Sequence, residues 1–115
     1  MANTFNNASL ASVNHSAFAT LYTCPSATTA IILGLALTNK TNSAVTASVQ
    51  FIDSDASGSA ADKERLILNE VSIPANTTLE VLAGQKYVME TTDILKVKAG
   101  TTTSLDAVLG LMQIT

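Results

Sequence analysis

The second half of the chain alternates between short apolar runs and turn residues. Residues 65–73 read RLILNEVSI, residues 74–77 (PANT) make a turn, and apolar runs then recur up to LDAVLGLMQIT at residues 105–115. Runs of about five to ten residues, each closed by Pro, Gly, Asn, Asp or Thr, are typical of a small antiparallel β domain. We therefore predict an all-β fold.

Two long strands are predicted from a period of two, in which every second side chain points to the same face. Within residues 28–39, one face is strongly apolar and consists of Ile31, Leu33, Leu35 and Leu37. Residues 105–115 are largely apolar on both faces, which predicts a strand that is central in its sheet or covered at an interface. A helix is the alternative for this last segment, because LDAVLGLM contains good helix formers.

A change of phase marks one predicted irregularity. Leu66 and Leu68 follow one alternation, whereas Val71 and Ile73 follow the other. An extra residue in a strand shifts the side chains that follow it to the opposite face. The sequence therefore predicts a bulge or bend around residues 69–70.

The N-terminal residues lack the strand pattern. Residues 1–16 are rich in Asn, Ser and Ala, and such a segment buries too little surface to become ordered alone. We predict an extended arm that orders only against a neighbour, with Phe5, Leu10 and Val13 as its interface residues. Residues 17–115 are predicted to form one antiparallel β-sandwich of about seven to eight strands, with a small barrel as the alternative.

Composition narrows the classes of function. The chain has 115 residues and a net charge of -3, and only 13% of its residues are charged, about half the usual fraction. Its six basic residues are scattered, so we expect no nucleic-acid partner.

The longest apolar stretch, residues 30–37, is far shorter than a membrane span, and we expect no membrane partner. The N-terminus lacks the basic and apolar regions of a signal peptide, which predicts folding in a reducing cytoplasm.

The sequence offers no set of residues that resembles a catalytic site. His15, the one histidine, lies in the predicted arm, away from any orienting carboxylate. Cys24 is the one cysteine, so an intrachain disulfide is excluded, and it has no Lys or Arg within a dozen positions. A small buried side chain is therefore favoured over a nucleophile. The acidic residues are spread singly and do not pair as acid and base. We predict no enzymatic activity, no catalytic residue and no cofactor.

One segment carries a pattern of metal ligands. Asp53, Asp55 and Ser57 stand at positions one, three and five of a loop that ends at Glu64 in position twelve, with Gly58 at position six. This spacing echoes the calcium-binding EF-hand, whose oxygen ligands converge around a turn. The motif requires a flanking helix on each side, but FID and RLIL predict strands here. A solvated hairpin loop is therefore favoured, and calcium binding is the weaker hypothesis.

Three stretches of the chain, taken in order, carry a family resemblance. They are TLYTCPSATTAIILGLALTN (residues 20–39), IPANTTLEVLAGQKYVMETTDILKVKAG (residues 73–100) and LDAVLGLMQIT (residues 105–115). The chain resembles small β-sandwich virion proteins of tailed bacteriophages, especially those of marine cyanobacteria. That family has an LYTCP element, an IP…STL turn, an acidic-glycine turn before LKV and a final strand ending in IT. This chain departs at residues 90–93 (ETTD), where an Ala-Gly turn is usual, so the turn type there stays open.

The resemblance implies a non-enzymatic, copy-rich component of the virion, assembled in the host cytoplasm. We expect a capsid decoration or cement protein that forms homo-oligomers through sheet contacts and binds other virion proteins such as the major capsid protein. A neck, tail or baseplate protein is the alternative within this class. From a different class, a calcium-dependent adhesion or carbohydrate-binding module would use Asp53, Asp55 and Glu64.

Overall fold

A computed structural model describes residues 3–53, 64–82 and 85–115. Within these ranges the chain forms nine β-strands: β1 (Asn3–Leu10), β2 (Ala19–Thr23), β3 (Thr29–Asn39), β4 (Val45–Ile52), β5 (Glu64–Ile73), β6 (Thr78–Glu80), β7 (Tyr87–Met89), β8 (Ile94–Ala99) and β9 (Leu105–Ile114). In the same ranges no helix has the length and apolar character needed to cross a membrane. The predicted all-β class is confirmed.

The described strands form two antiparallel sheets packed face to face. Sheet A has the order β1-β9-β3-β6, with β7 also paired to β3, and sheet B has the order β2-β8-β4-β5. Because β6 and β7 pair with different parts of β3, they act together as one interrupted strand. Counted in this way, the order is that of an eight-stranded jelly roll, which consists of two Greek keys. The predicted β-sandwich is confirmed.

The core lies between the sheets and uses alternate residues of each strand. Strand β9 pairs with β1 on one side and with β3 on the other. Its inward residues Ala107, Leu109 and Leu111 are fully buried, as expected for the inner face of a sandwich strand. The prediction that this last segment is a central strand is confirmed, and the helical alternative is wrong.

A bulge in β5 lies where the change of phase predicts it. Ala47 of β4 pairs with Val71, but Val49 pairs with Leu68, so β5 carries one extra residue between these two pairs. Glu70 has a left-handed backbone with a φ of 50°, and its N–H donates to Ser48 Oγ at 2.9 Å. The bulge at residues 69–70 is therefore confirmed.

A second bulge, in β3, was not predicted. Ile32 pairs with Leu111 and Gly34 with Gly110, which leaves Leu33 as the extra residue. The extra residue reverses the alternation, since the side-chain period of a strand is two. Leu33 is consequently 42% exposed, whereas Ile32 is buried. The prediction that Ile31 and Leu33 share the inner face with the later leucines is wrong.

The N-terminal segment also differs from the predicted extended arm. Strand β1 pairs with β9 in unbroken register from Asn3 to Leu10 and forms an edge of sheet A. Val13 is only 2% exposed, and its N–H donates to the Leu105 carbonyl at 2.7 Å. Backbone hydrogen bonds hold β1 in the sheet, and only Ala8 and Leu10 pack partly against the core, so the largely polar composition gave no sign of a strand. Residues 3–13 therefore belong to the sandwich.

Candidate interaction surface

The outer face of sheet B is polar, as is usual for a sheet that faces water. Lys96 and Lys98 alternate with buried residues of β8, and Thr20 of β2 pairs with Lys96. The Lys98 ammonium lies 5.7 Å from the centre of the Phe18 ring, a cation–π distance. Antiparallel sheets with one solvated face normally show this inward-apolar, outward-polar alternation.

The outer face of sheet A carries a row of large apolar side chains. Strand register places Phe5, Met112, Ile31 and Val88 in one row across β1, β9, β3 and β7. The ends of this row are open, since Phe5 is 73% exposed and Val88 is 57% exposed. We call the outward surface of sheet A the apolar face, and its large apolar members are Phe5, Ile31, Leu33, Val88, Val108 and Met112.

A trough crosses the apolar face beside that row. Gly110 of β9 and Gly34 of β3 lie directly opposite each other, so neither strand projects a side chain there. The next row begins with Val108 paired to Ala36, so apolar side chains border the trough on both sides. The depression has a volume of about 400 Å³, and its lining includes Leu33, Leu35, Ala36, Glu80, Leu82 and Val108. The apolar face therefore has relief, with a ridge and a groove that run across the strands.

Charged groups border the apolar face at two places: Glu80 lies at the β6 edge beside the trough, and an ion pair lies at the end of the face near Asp106. Lys40 Nζ lies 2.9 Å from Asp106 Oδ1 and donates to Ser12 Oγ at 3.0 Å. The Ser12 N–H also donates to Asp106 Oδ1 at 2.9 Å. The Ser12 hydrogen bond and the adjacent Lys40 together lower the pKa of the Asp106 carboxyl. This cluster fixes the segment that follows β1 and leaves the centre of the face uncharged.

The three predicted interface residues have different positions. Val13 is buried in the chain's own core, and Leu10 packs against that core. Phe5 alone projects outward, on the apolar face. Sequence reasoning missed the rest of this surface, although the two-sided apolar pattern of residues 105–115 was a signal for it.

The predicted calcium ligands are only partly described. Asp55 and Ser57 lie outside the described residues. Asp53 follows β4, and Glu64 opens β5 opposite Ile52. Among the described residues, the carboxylates of Asp53, Glu90 and Asp93 lie within 4.8 Å of one another. Sequence reasoning missed this grouping, because Glu90 and Asp93 come from a distant turn.

The turn at residues 90–93 accounts for one of these carboxylates. The Glu90 N–H donates to Asp93 Oδ2 at 2.8 Å, and the Asp93 N–H donates to the Glu90 carbonyl at 3.0 Å. Thr92 adopts a left-handed φ of 76°, which shows how this turn is made without the usual glycine. Asp93 is buried and supports the turn. The turn thus explains the position of the Asp93 carboxylate.

Cys24 and His15 do not approach each other as a catalytic pair would. The Cys24 side chain is buried, and its Sγ donates to the Thr28 carbonyl at 3.3 Å. Burial, with the Asp93 charge as a lesser cause, raises the pKa of the Cys24 thiol, so the unreactive protonated form is favoured. His15 is exposed. The prediction that Cys24 is a small buried side chain is confirmed.

Comparison with known proteins adds little. Among solved structures, the chain is similar to a protein of Bacillus endospore appendages, described as a novel family of disulfide-linked pili. The two are 10% identical, the match covers 96% of this chain and 85% of that one, and the TM-score is 0.49. No protein-family model and no curated protein matches the chain. A likeness at this level carries no argument about function.

Proposed function

We propose that this chain is a non-enzymatic structural protein of a bacteriophage virion and that it decorates or cements the head. The apolar face carries the proposal. Its exposed apolar side chains lie across the described strands of sheet A, with the charged Glu80 at the β6 edge, whereas the outer face of sheet B is largely polar. Extended exposed apolar surface usually marks a site of association. We therefore assign the chain the role of a structural component that associates with other proteins through this face.

Two observations support placing that assembly in a virion. The three stretches that resemble phage virion proteins fall on β2 and β3, on β6 to β8, and on β9. They therefore supply most of sheet A, including both strands that border the glycine trough. The strand order is a jelly roll, which is common in viral capsid domains. Since a fold alone does not determine function, the resemblance provides the virion assignment and the fold agrees with it.

Support for a non-enzymatic role comes from the chemistry of individual side chains. The Cys24 thiol is buried, and its raised pKa keeps it protonated. His15 is exposed, and the Asp93 carboxylate is engaged by the turn at residues 90–93. A nucleophile needs a base within hydrogen-bond reach and a group that orients the base. The burial of Cys24 and the exposure of His15 therefore support the proposed non-enzymatic role.

The copy number in purified particles tests the proposal. We expect the protein in the particle at hundreds of copies, measured by quantitative mass spectrometry against the major capsid protein. Tens of copies or fewer would instead indicate a neck, tail or baseplate position. Absence from the particle would contradict the structural role altogether.

A matched pair of variants links the particle to the apolar face. Val108→Ser places a hydroxyl on the apolar face, where Val108 is 54% exposed, and Val71→Ser makes the same change on exposed β5 of sheet B. We expect Val108→Ser to lower the copy number and Val71→Ser to leave it unchanged. Equal retention of the two variants would show that the apolar face does not hold the protein in the particle.

A further inference from the structure

We propose that a groove between the edges of the two sheets binds a small amphipathic carboxylate, that is, an apolar ring or short alkyl chain that ends in a carboxylate group. The groove lies where β5 of sheet B meets β7 of sheet A, beside one end of the apolar face. Its volume is about 390 Å³, and the described residues that line it are Phe51, Arg65, Leu66, Ile67, Tyr87 and Val88. Ligand sites commonly measure about 300–1,000 Å³. The inference goes beyond the proposed function and does not depend on it.

The floor of the groove consists of core side chains that are incompletely covered. Phe51 pairs with Leu95 on β8, and Leu95 is buried. Tyr87 pairs with Ile32 on β3, and Ile32 is also buried. Directly opposite residues share a face of the sheet, so both aromatic rings point inward. The ring centroids lie 6.5 Å apart in an edge-to-face arrangement.

These two rings leave apolar surface at the groove. Phe51 and Tyr87 pack against the core, yet both are only partly buried. Removing apolar surface from water is favourable and roughly proportional to the area removed. An apolar ring or alkyl chain in the groove would therefore be stabilised by contact with this aromatic pair.

Arg65 supplies the charge that selects the ligand, and it is the one charged side chain among the described residues that line the groove. Its Nη1 donates to the Glu64 carbonyl at 2.8 Å, which uses one of the five N–H donors of the guanidinium. Within residues 3–53, 64–82 and 85–115 the one ion pair joins Lys40 to Asp106, so no carboxylate in those ranges pairs with Arg65. The planar fork of an arginine matches the two oxygens of a carboxylate.

The edges of the groove do not suit an added strand. Val49 of β4 pairs with Leu68. The next residue, Gln50, pairs with Leu66, so Ile67 is an extra residue of β5 and forms another bulge. Bulges interrupt the hydrogen-bond ladder and blunt an edge strand, and β7 has only three residues. The site therefore fits a compact ligand better than an extended peptide.

The single cation also distinguishes between anions. A phosphate monoester carries a charge of about -1.5 to -2 at pH 7, which the one guanidinium of Arg65 would leave partly uncompensated beside the apolar floor. A carboxylate carries one charge and is matched by one guanidinium. The ligand that combines this charge with an apolar body is an amphipathic carboxylate.

Binding of 4-phenylbutyrate to the full chain, followed by amide chemical shifts in two-dimensional NMR, tests the inference. We expect saturable shifts at the residues that line the groove. We expect 4-phenylbutanol, which has the same apolar body without the charge, to bind at least tenfold more weakly. A factor of ten corresponds to about 1.4 kcal/mol, and a hydrogen bond between charged groups typically contributes at least that much.

A matched pair of variants assigns the charge. Arg65→Gln should weaken the binding of phenylbutyrate at least tenfold and leave the binding of phenylbutanol unchanged. Because Arg65 is exposed, we expect this variant to fold with an unchanged melting midpoint. Lys96→Gln removes the same charge from the outer face of sheet B and should change neither affinity.

Three results would overturn the inference. The first is no saturable binding of phenylbutyrate up to its solubility limit. The second is equal weakening by Arg65→Gln and Lys96→Gln, which would show that net charge and not the groove controls binding. The third is a set of shifts confined to the trough around Val108 and Gly110, which would place the ligand on the apolar face.

Discussion

Replacing Val13 with alanine tests whether the N-terminal segment is an integral part of the sandwich. Val13 is 2% exposed and belongs to the core cluster. Val13→Ala removes two buried methyl carbons, worth about 0.8 kcal/mol each, and leaves a cavity that adds to the loss. We therefore expect the free energy of unfolding to fall by roughly 2–3 kcal/mol.

The expected loss is large enough to measure by thermal melting. For 115 residues, an unfolding entropy of about 2.1 cal/mol/K per residue gives about 0.24 kcal/mol/K. The midpoint, followed by far-ultraviolet circular dichroism, should therefore fall by about 8–12 °C.

Val71→Ala provides the matched control for this melt. It makes the same change at a position that is 36% exposed on β5. Because Val71 is already about one-third exposed and lies on an edge strand, its cost should be smaller, about 1 kcal/mol, from the covered part of the side chain and from lower strand propensity. Equal midpoints for Val13→Ala and Val71→Ala would refute the packing of the N-terminal segment in the core.

Three further predictions concern single side chains. Hydrogen bonding and Lys40 lower the pKa of Asp106, so its stabilisation is present above about pH 4 and is lost as the pH falls through the folded-state pKa. Asp106→Asn should lower the melting midpoint at pH 7 and do so progressively less as the solution is acidified, and the loss of stability at pH 7 should be less than about 1 kcal/mol because the pair is exposed. Cys24 is buried with a raised pKa, so a thiol reagent should label it only at the rate of unfolding; fast labelling of the native protein would contradict this. Glu70→Gly should raise the midpoint, since Glu70 has a φ of 50° and relief of left-handed strain is worth about 1–2 kcal/mol, partly offset by the flexibility of unfolded glycine.

The two bulges show what the sequence can and cannot reveal about this fold. Around Glu70 the apolar residues move from even to odd positions. Their neighbours are polar, so the sequence pattern reveals the bulge. Around Leu33 the residues are apolar on both sides, and a shift of one position changes nothing in the pattern. That silent shift turns Leu33 outward and thereby helps to create the apolar face.

The N-terminal strand and the acidic grouping escaped prediction for a different reason. Strand β1 is held by backbone pairing with β9, which any sequence without proline can provide. Asp53 meets Glu90 and Asp93 only because the sandwich brings two distant connections together. Neither feature produces a signal in the local sequence. The two apolar faces of β9, in contrast, can be predicted from the residues of that strand alone.

The central claim, that the apolar face is covered when the protein is assembled, can be tested with one fluorescent label. Phe5→Cys places a thiol at the exposed end of the Met112 row, where an environment-sensitive dye can be attached while Cys24 stays buried. Thr20→Cys places the control label on the outer face of sheet B.

We expect the emission of the dye at position 5 to shift to the blue and to resist iodide quenching when the labelled protein binds particles that lack it. Adding Val108→Ser should weaken both changes, and the dye at position 20 should show neither. If the dye at position 5 stays solvent-exposed on the particle, the apolar face is not covered and the account is contradicted.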